Sequence, residues 1–166
     1  MFTSNTVIIE GDAEHIHDHI YQLAANIQDW PALLPHYQFM HIIEQSETHK
    51  VADFGASRDG FPCRWRARQE LFPAEGRITY KHIAGITKGM AVEWRLIKQG
   101  DSVAVTIDHD LTYSFPVLGD LFAKYIVGDL FVHNIAGKTL EFIKDTVEQT
   151  ERERVKAIAV ARMSSR

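Results

Sequence analysis

A single cysteine, Cys63, stands in the whole chain. An internal disulfide is therefore excluded, and with it the scaffold of a small disulfide-stapled secreted domain; the expectation is a chain that works in a reducing cytoplasm. Long apolar runs are missing too. The greasiest stretch, Tyr125 to Ile135, is broken by Asp129, His133 and Asn134, and nothing approaches the roughly 20 apolar residues that span a bilayer as a helix. The opening Met1-Phe2-Thr3-Ser4-Asn5 lacks the basic segment and apolar core of a signal peptide. Basic charge is in deficit: 18 Lys and Arg face 22 Asp and Glu, a formal net charge of -4. That argues against nucleic acid as a partner, because a nucleic-acid face needs clustered cations to displace counterions. Repeats, Pro/Gly-rich linkers and low-complexity segments are absent before the charged tail.

What is present is the composition of one ordinary folded domain: 166 residues, 45% hydrophobic and 24% charged. Thr6 to Glu10 reads as a short strand. Gly11-Asp12 starts a helix, with Asp12 placed to cap free backbone N–H groups. The stripe Ile16, Ile20, Leu23, Ala24 and Ile27 gives that helix one buried face and carries it towards Asp29-Trp30-Pro31. Pro31 and Pro35 end helical structure or confine it to short turns.

From about His36 to Phe115 the period becomes two. Ile78, Tyr80 and His82 alternate with Arg77, Thr79 and Lys81. Met90, Val92, Trp94 and Leu96 alternate with Ala91, Glu93, Arg95 and Ile97. Val103, Val105, Ile107, His109, Leu111 and Tyr113 alternate with Ala104, Thr106, Asp108, Asp110 and Thr112. This is an antiparallel sheet with one buried and one wet face. Turn signals fall at Arg58-Asp59-Gly60, Glu75-Gly76 and Gly100-Asp101. A long helix from about Leu118 closes the chain, with Phe131, Val132, Ile135, Ala136, Thr139, Leu140, Ile143 and Val147 on its apolar side. Gly119, Gly128 and Gly137 weaken it, and Gly128 is the expected kink. The expected division is one ligand-binding domain over residues 1–148 and a charged tail over 149–166, a helical extension or a frayed end.

The chemistry-bearing residues gather on the inferred inner faces. His109 sits on the inward side of a central strand, where a neutral imidazole serves as a general base on a carbon acid or donates to a ligand carbonyl. Tyr37, Tyr80, His82 and Tyr113 are further polar tips, and Trp65, Trp94 and Met90 supply wall. On the strand Phe61 to Phe72, Cys63, Trp65, Ala67, Gln69 and Leu71 face inward, and Arg64, Arg66 and Arg68 face water. Only His15 and His19 of the three helix histidines share a face, so no metal set forms. No cofactor is expected either. Cys63 reads as a small core residue.

The segments Asp29-Trp30-Pro31-Ala32-Leu33-Leu34-Pro35-His36-Tyr37, Gly89-Met90-Ala91-Val92-Glu93-Trp94, Val105-Thr106-Ile107-Asp108-His109-Asp110 and Ala136-Gly137-Lys138-Thr139-Leu140, in this order, resemble the START-like, helix-grip superfamily (SRPBCC). The resemblance runs from about residue 5 to 148 and is greatest to the polyketide cyclase/dehydrase-like branch, which includes aromatase/cyclases. It implies an α+β helix-grip fold, a curved antiparallel sheet wrapped around a long C-terminal helix with an internal cavity. It also implies aldol cyclisation and dehydration of a polyketide intermediate; an acyl carrier protein is a further candidate partner, for which the stripe Arg64, Arg66 and Arg68 is the alternative to a solvated sheet face. Other branches bind or carry a lipid, quinone or isoprenoid, which is the alternative function. In the resembling aromatase/cyclases the pocket holds aromatics, an arginine on a middle strand, a tyrosine after the Trp-Pro turn and an asparagine on the last helix. Tyr37 matches the tyrosine, and Thr139 stands in place of the asparagine. Glu70 or Leu71 falls opposite the arginine, and a bulge would be needed to turn Arg64, Arg66 or Arg68 inward.

The expected catalytic groups are therefore Tyr37, His109 and Tyr113. The expected ligand contacts are Trp30, Leu34, Trp65, Gln69, Tyr80, His82, Met90, Trp94, Phe131, Ile135 and Thr139. The partner is a bulky hydrophobic or aromatic small molecule. A homodimer through a sheet edge or the last helix is a further possibility.

Overall fold

The computed structural model describes residues 2–58, 61–85, 87–111 and 135–164. Strand β1 (Phe2–Glu10) leads into helix α1 (Ala13–Ala25), a 3-10 turn (Ile27–Asp29) and a short helix α2 (Trp30–Leu33). Six strands follow: β2 (Tyr37–Gln45), β3 (His49–Arg58), β4 (Phe61–Phe72), β5 (Arg77–Gly85), β6 (Met90–Lys98) and β7 (Ser102–Leu111). Helix α3 (Gly137–Ser164) comes last. The strands form one antiparallel sheet in the order β1-β7-β6-β5-β4-β3-β2. This is the helix-grip arrangement of a curved sheet and a long C-terminal helix.

Two boundaries differ from the periodicity. β1 begins at Phe2, four residues before Thr6, because Phe2 to Asn5 pair with Asp110 to Ile107 of β7. A polar Thr-Ser-Asn run carries no strand signal of its own, and its partner strand supplies the structure. The first helix stops at Ala25 and does not reach Trp30. Asn26 leaves helical geometry at φ -87, ψ 62, and side chains from the sheet take up the helix's last carbonyls. Asp12 caps α1 as expected, accepting from the Glu14 N–H at 3.2 Å.

The sheet's two faces separate as the alternation requires. On β4, Cys63, Trp65, Ala67 and Gln69 are buried. Arg66 forms a two-pronged pair with Asp53 at 2.7 and 2.9 Å, Arg68 pairs with Glu70, and Arg64 lies over the Phe39 ring. The β4–β5 ladder does carry a bulge, between Arg66 and Ala67, but the extra residue is Ile83 of β5. The arginines stay outside.

Helix α3 buries Thr139, Leu140, Ile143, Val147 and Glu151 and continues as helix to Ser164, with Val155, Ile158, Val160 and Met163 exposed. Glu151 locks α3 to the start of α1. Its carboxylate accepts from the Asp12 N–H and from Arg154, and meets His15 at 3.0 Å. Gly11 makes room for it, since a Cβ there would stand 2.8 Å from the Glu151 side chain. The expected strand end at Phe115, helix start at Leu118, kink at Gly128 and the side chains of Tyr113 and Phe131 lie outside the described residues.

Candidate functional site

The inner faces of β2 to β7, helix α2, and α3 with the two residues before it form an aromatic-walled site. Trp30, Tyr37, Phe54, Trp65, Tyr80, His82, Met90, Val92, Trp94, Ile107, His109, Ile135, Ala136 and Thr139 line it. Three rings from adjacent strands form one flat wall. Phe54 stacks on Trp65 at 5.2 Å and 13°, and Trp65 stacks on His82 at 5.8 Å and 6°. A second group meets this wall: Trp30 tilts against Tyr37, Trp94 and Tyr80, with centroids 5.0 to 6.5 Å away, and Tyr37 and Tyr80 in turn lie 6.4 Å from Trp65 and Phe54. Offset and edge contacts of this kind hold rings in fixed orientation.

The open space between these side chains is about 50 Å³. That is room for one or two waters and well below the roughly 300 Å³ at which pockets for drug-sized ligands begin. A bulky ligand therefore enters only when wall side chains move apart.

Much of the site's polarity is already committed to the fold. Tyr80 Oη donates to the Ala24 carbonyl at 3.3 Å and accepts from Gln69 Nε2 at 2.9 Å. Gln69 Nε2 also reaches the Ala25 carbonyl at 3.3 Å, and buried Lys50 donates to the same carbonyl at 2.9 Å. Trp30 Nε1 donates to the Leu23 carbonyl at 3.0 Å. Together they cap the C-terminus of α1, where the helix leaves carbonyls without intrahelical donors. Tyr80 and Trp30 thus offer a ligand their apolar surface while their donors are engaged with α1, and Gln69, expected as a ligand contact, is wholly buried behind Tyr80 and does not line the cavity. Leu34, expected in the wall, does not line the cavity: it is buried in the hydrophobic core, 2% exposed, under the groove formed with Pro35, His36 and Lys138.

The two histidines differ from that group. His82 and His109 are each 5% exposed. Burial holds His109 at about 4, against an ordinary 6.5, with Asp108 pulling weakly the other way. Burial, helped by His109 and Lys81, holds His82 at about 3. Both are neutral at physiological pH. His82 Nδ1 is bonded to the Thr87 hydroxyl at 2.6 Å, and Thr87 is wholly buried in the β5–β6 turn. His109 Nδ1 is sealed from solvent without a hydrogen-bond partner among the described residues.

At the α3 side, Tyr37 is buried. That pushes its phenol well above the ordinary range, with the Thr139 hydroxyl working against the shift. Thr139 Oγ1 donates to the Ile135 carbonyl at 2.7 Å and meets His36 Nε2 at 3.1 Å. Burial, then Lys138, lowers His36 to about 4. Phe54, His36 and Thr87 are parts of the site that sequence reading passes over. Ala52, Phe54 and Ala56 do alternate on β3, but two alanines give the pattern little contrast. Among the described residues no three His, Cys, Asp or Glu side chains gather closely enough to hold a metal, and no helix is long and apolar enough to cross a membrane.

Residues 15–130 match the family model described as polyketide cyclase / dehydrase and lipid transport. The chain belongs to this family. No curated protein sequence matches it. Solved structures agree on the fold. The Zhui aromatase/cyclase of Streptomyces sp. R1128 superposes with a TM-score of 0.67 at 17% identity, over 93% of this chain and 95% of that one. A Thermus thermophilus protein gives 0.74 at 17% identity, over 90% and 99%. Norcoclaurine synthase of Thalictrum flavum, solved with dopamine and hydroxybenzaldehyde, gives 0.67 at 14% identity, over 90% and 87%. At these identities the likeness is one of fold. Family membership and the aromatic wall together support binding of a hydrophobic small molecule.

Proposed function

We propose that this family member is a polyketide cyclase of the aromatase/cyclase kind, which bends a poly-β-ketone chain between two aromatic walls and directs one aldol closure and dehydration. The observation that carries this reading is His109, an imidazole held neutral on the floor of an aromatic site with one nitrogen sealed away. A histidine of such low basicity is a poor proton acceptor at neutral pH but a good uncharged hydrogen-bond donor. Donation from Nε2–H to a ketone oxygen polarises that carbonyl as the electrophile; the attacking carbon is a methylene elsewhere on the chain, acidified by its two flanking carbonyls, which loses its proton to solvent, and the alkoxide formed on closure takes one back. The walls supply proximity and orientation, the larger share of the acceleration in an intramolecular closure. Tyr37 and Tyr113 are the phenols assigned to the hydroxyl lost in dehydration, and an acyl carrier protein delivers the chain in the cytoplasm.

The test compares wild type with His109→Gln on a nascent poly-β-ketone. Glutamine keeps a donor of similar size but not its geometry. Turnover should fall by about 10² or more, within the range for a positioned acid–base group, while affinity for an aromatic product analogue stays within a factor of a few. Unchanged product distribution with and without the protein would sink the enzyme reading.

The second reading is a carrier of a lipid, quinone or isoprenoid. It is favoured by the engagement of Tyr80, Gln69 and Trp30 with α1, which leaves a ligand mostly apolar surface. Native mass spectrometry separates the two: a stoichiometric lipid or quinone released on denaturation supports the carrier.

A further inference from the structure

One row of residues crosses the inner face of the sheet from strand to strand: Lys50, Gln69, Tyr80, Val92, His109 and Thr3 are successive Cα partners. The first three are tied to α1. At the other end, Thr3 on β1 stands directly opposite His109 on β7. Both carry a buried polar atom with no hydrogen-bond partner among the described residues, Thr3 Oγ1 and His109 Nδ1. The two other such atoms are elsewhere. Asp108 Oδ1 belongs to the outer face, where Asp108 pairs with Arg95, and Gln69 Oε1 lies three strands from His109.

Directly opposed residues in an antiparallel pair have Cβ atoms about 4.5–5.5 Å apart, so their side chains meet by rotation alone. A hydroxyl can donate one hydrogen bond and accept two, while a neutral imidazole has one donor nitrogen and one acceptor. Leaving either atom alone in the interior is costly. The tautomer then follows. The proposed function needs the proton on Nε2, the nitrogen left to face a ligand, so the sealed Nδ1 is an acceptor and requires a donor. The Thr3 hydroxyl is the opposed one.

We propose that Thr3 is a positioning residue for His109: its hydroxyl donates to Nδ1, fixes the Nε2–H tautomer and holds the ring with that N–H aimed at the ligand carbonyl. This rests on the reading of His109 as a carbonyl-polarising group. It adds a residue from the edge strand β1, outside the cavity lining, to the working parts of the site.

The experiment is long-range ¹H–¹⁵N spectroscopy of the histidine rings in wild type, Thr3→Ser and Thr3→Val, the last nearly isosteric and itself strand-forming. The expected result places the proton on Nε2 of His109 and Nδ1 at the shift of a hydrogen-bonded imine nitrogen in wild type and Thr3→Ser. In Thr3→Val, Nδ1 moves to the position of a free imine nitrogen. A protonated Nδ1 in wild type, or an Nδ1 shift indifferent to Thr3→Val, overturns the proposal. Turnover gives a second readout: Thr3→Val should lower kcat about fivefold with KM little changed, the size of one lost neutral hydrogen bond, and Thr3→Ser should restore it. The two readings fail separately. If His109→Gln leaves turnover intact, the catalytic reading falls, while the ring spectra still decide whether Thr3 holds Nδ1.

Discussion

At the α1 end of the inner row, Lys50, Gln69 and Tyr80 direct their donors at the carbonyls of Ala24 and Ala25, with Trp30 on Leu23 beside them. At the β1 end, His109 carries a nitrogen that no partner occupies among the described residues, and His82, two strands away on β5, is anchored through Thr87. The two ends share the sheet, the burial and the cross-strand register, yet one is a helix cap and the other retains unused hydrogen-bonding capacity. Burial of a polar group is therefore not in itself a mark of function. What distinguishes the ends is the donors: those of Lys50, Gln69 and Tyr80 are engaged with α1, which leaves Gln69 Oε1 as the unpaired acceptor there, whereas Thr3 Oγ1 and His109 Nδ1 both lack partners among the described residues, on directly opposed residues at the other end.

The largest expected effect separating the ends is acid sensitivity. Unfolding returns His82 and His109 to an ordinary value near 6.5 from about 3 and about 4. The unfolded chain then binds more protons, so stability is complete above about pH 6.5 and is lost as pH falls towards 4, by about 1.4 kcal/mol per pH unit for each histidine. Glu151 acts in a lower window. Arg154 holds it at about 2, against an ordinary 4.5, so its contribution is complete above about pH 4.5 and is lost as the pH falls from there towards 2. Urea midpoints between pH 7.5 and 4.5 should fall steeply for wild type and less steeply for His82→Gln or His109→Gln. A flat wild-type curve would remove the contrast between the two ends.

Trp30→Ala comes next, because that ring touches Tyr37, Tyr80 and Trp94 and its N–H caps α1. A loss of about 3–5 kcal/mol is expected in equilibrium unfolding, the usual cost of removing a core tryptophan. Tyr80→Phe sharpens the comparison at smaller scale. It strips the hydroxyl between Gln69 and Ala24 and should cost about 1–2 kcal/mol, with ligand affinity unchanged in a titration. Weakened binding with stability intact would instead make the Tyr80 hydroxyl, and not only its ring, a ligand contact. Smallest is Arg66→Met on the wet face, whose pair with Asp53 is solvent-exposed. Its melting midpoint should not move measurably.

The alternating strands make the site's wall legible in advance. Period two alone turns Trp65, Met90, Trp94, His82 and His109 inward, and the structure places all five at the cavity. The same rule puts Arg64, Arg66 and Arg68 outside, and the β5 bulge at Ile83 leaves them there. Leu34 is buried as an apolar residue should be, but in the core rather than in the cavity wall, because the four-residue helix α2 before it is too short to define a face. Gln69 and Tyr80 do point inward as the alternation requires, but their bonds to α1 depend on where that helix ends, and Asn26 gives only a faint signal of it.

The sequence by itself determined the face of each strand, the cap of α1 at Asp12 and the family, since all three rest on spacing between near neighbours and on local patterns. Only the tertiary structure decided which polar groups are satisfied. Lys50 meets a carbonyl 25 residues away, Tyr80 one 56 residues away, and Thr3 faces His109 across a pairing of the first strand with the last. Whether a buried hydroxyl or imidazole has a partner depends on which distant backbone comes to lie beside it, and the packing of the helices on the sheet sets that.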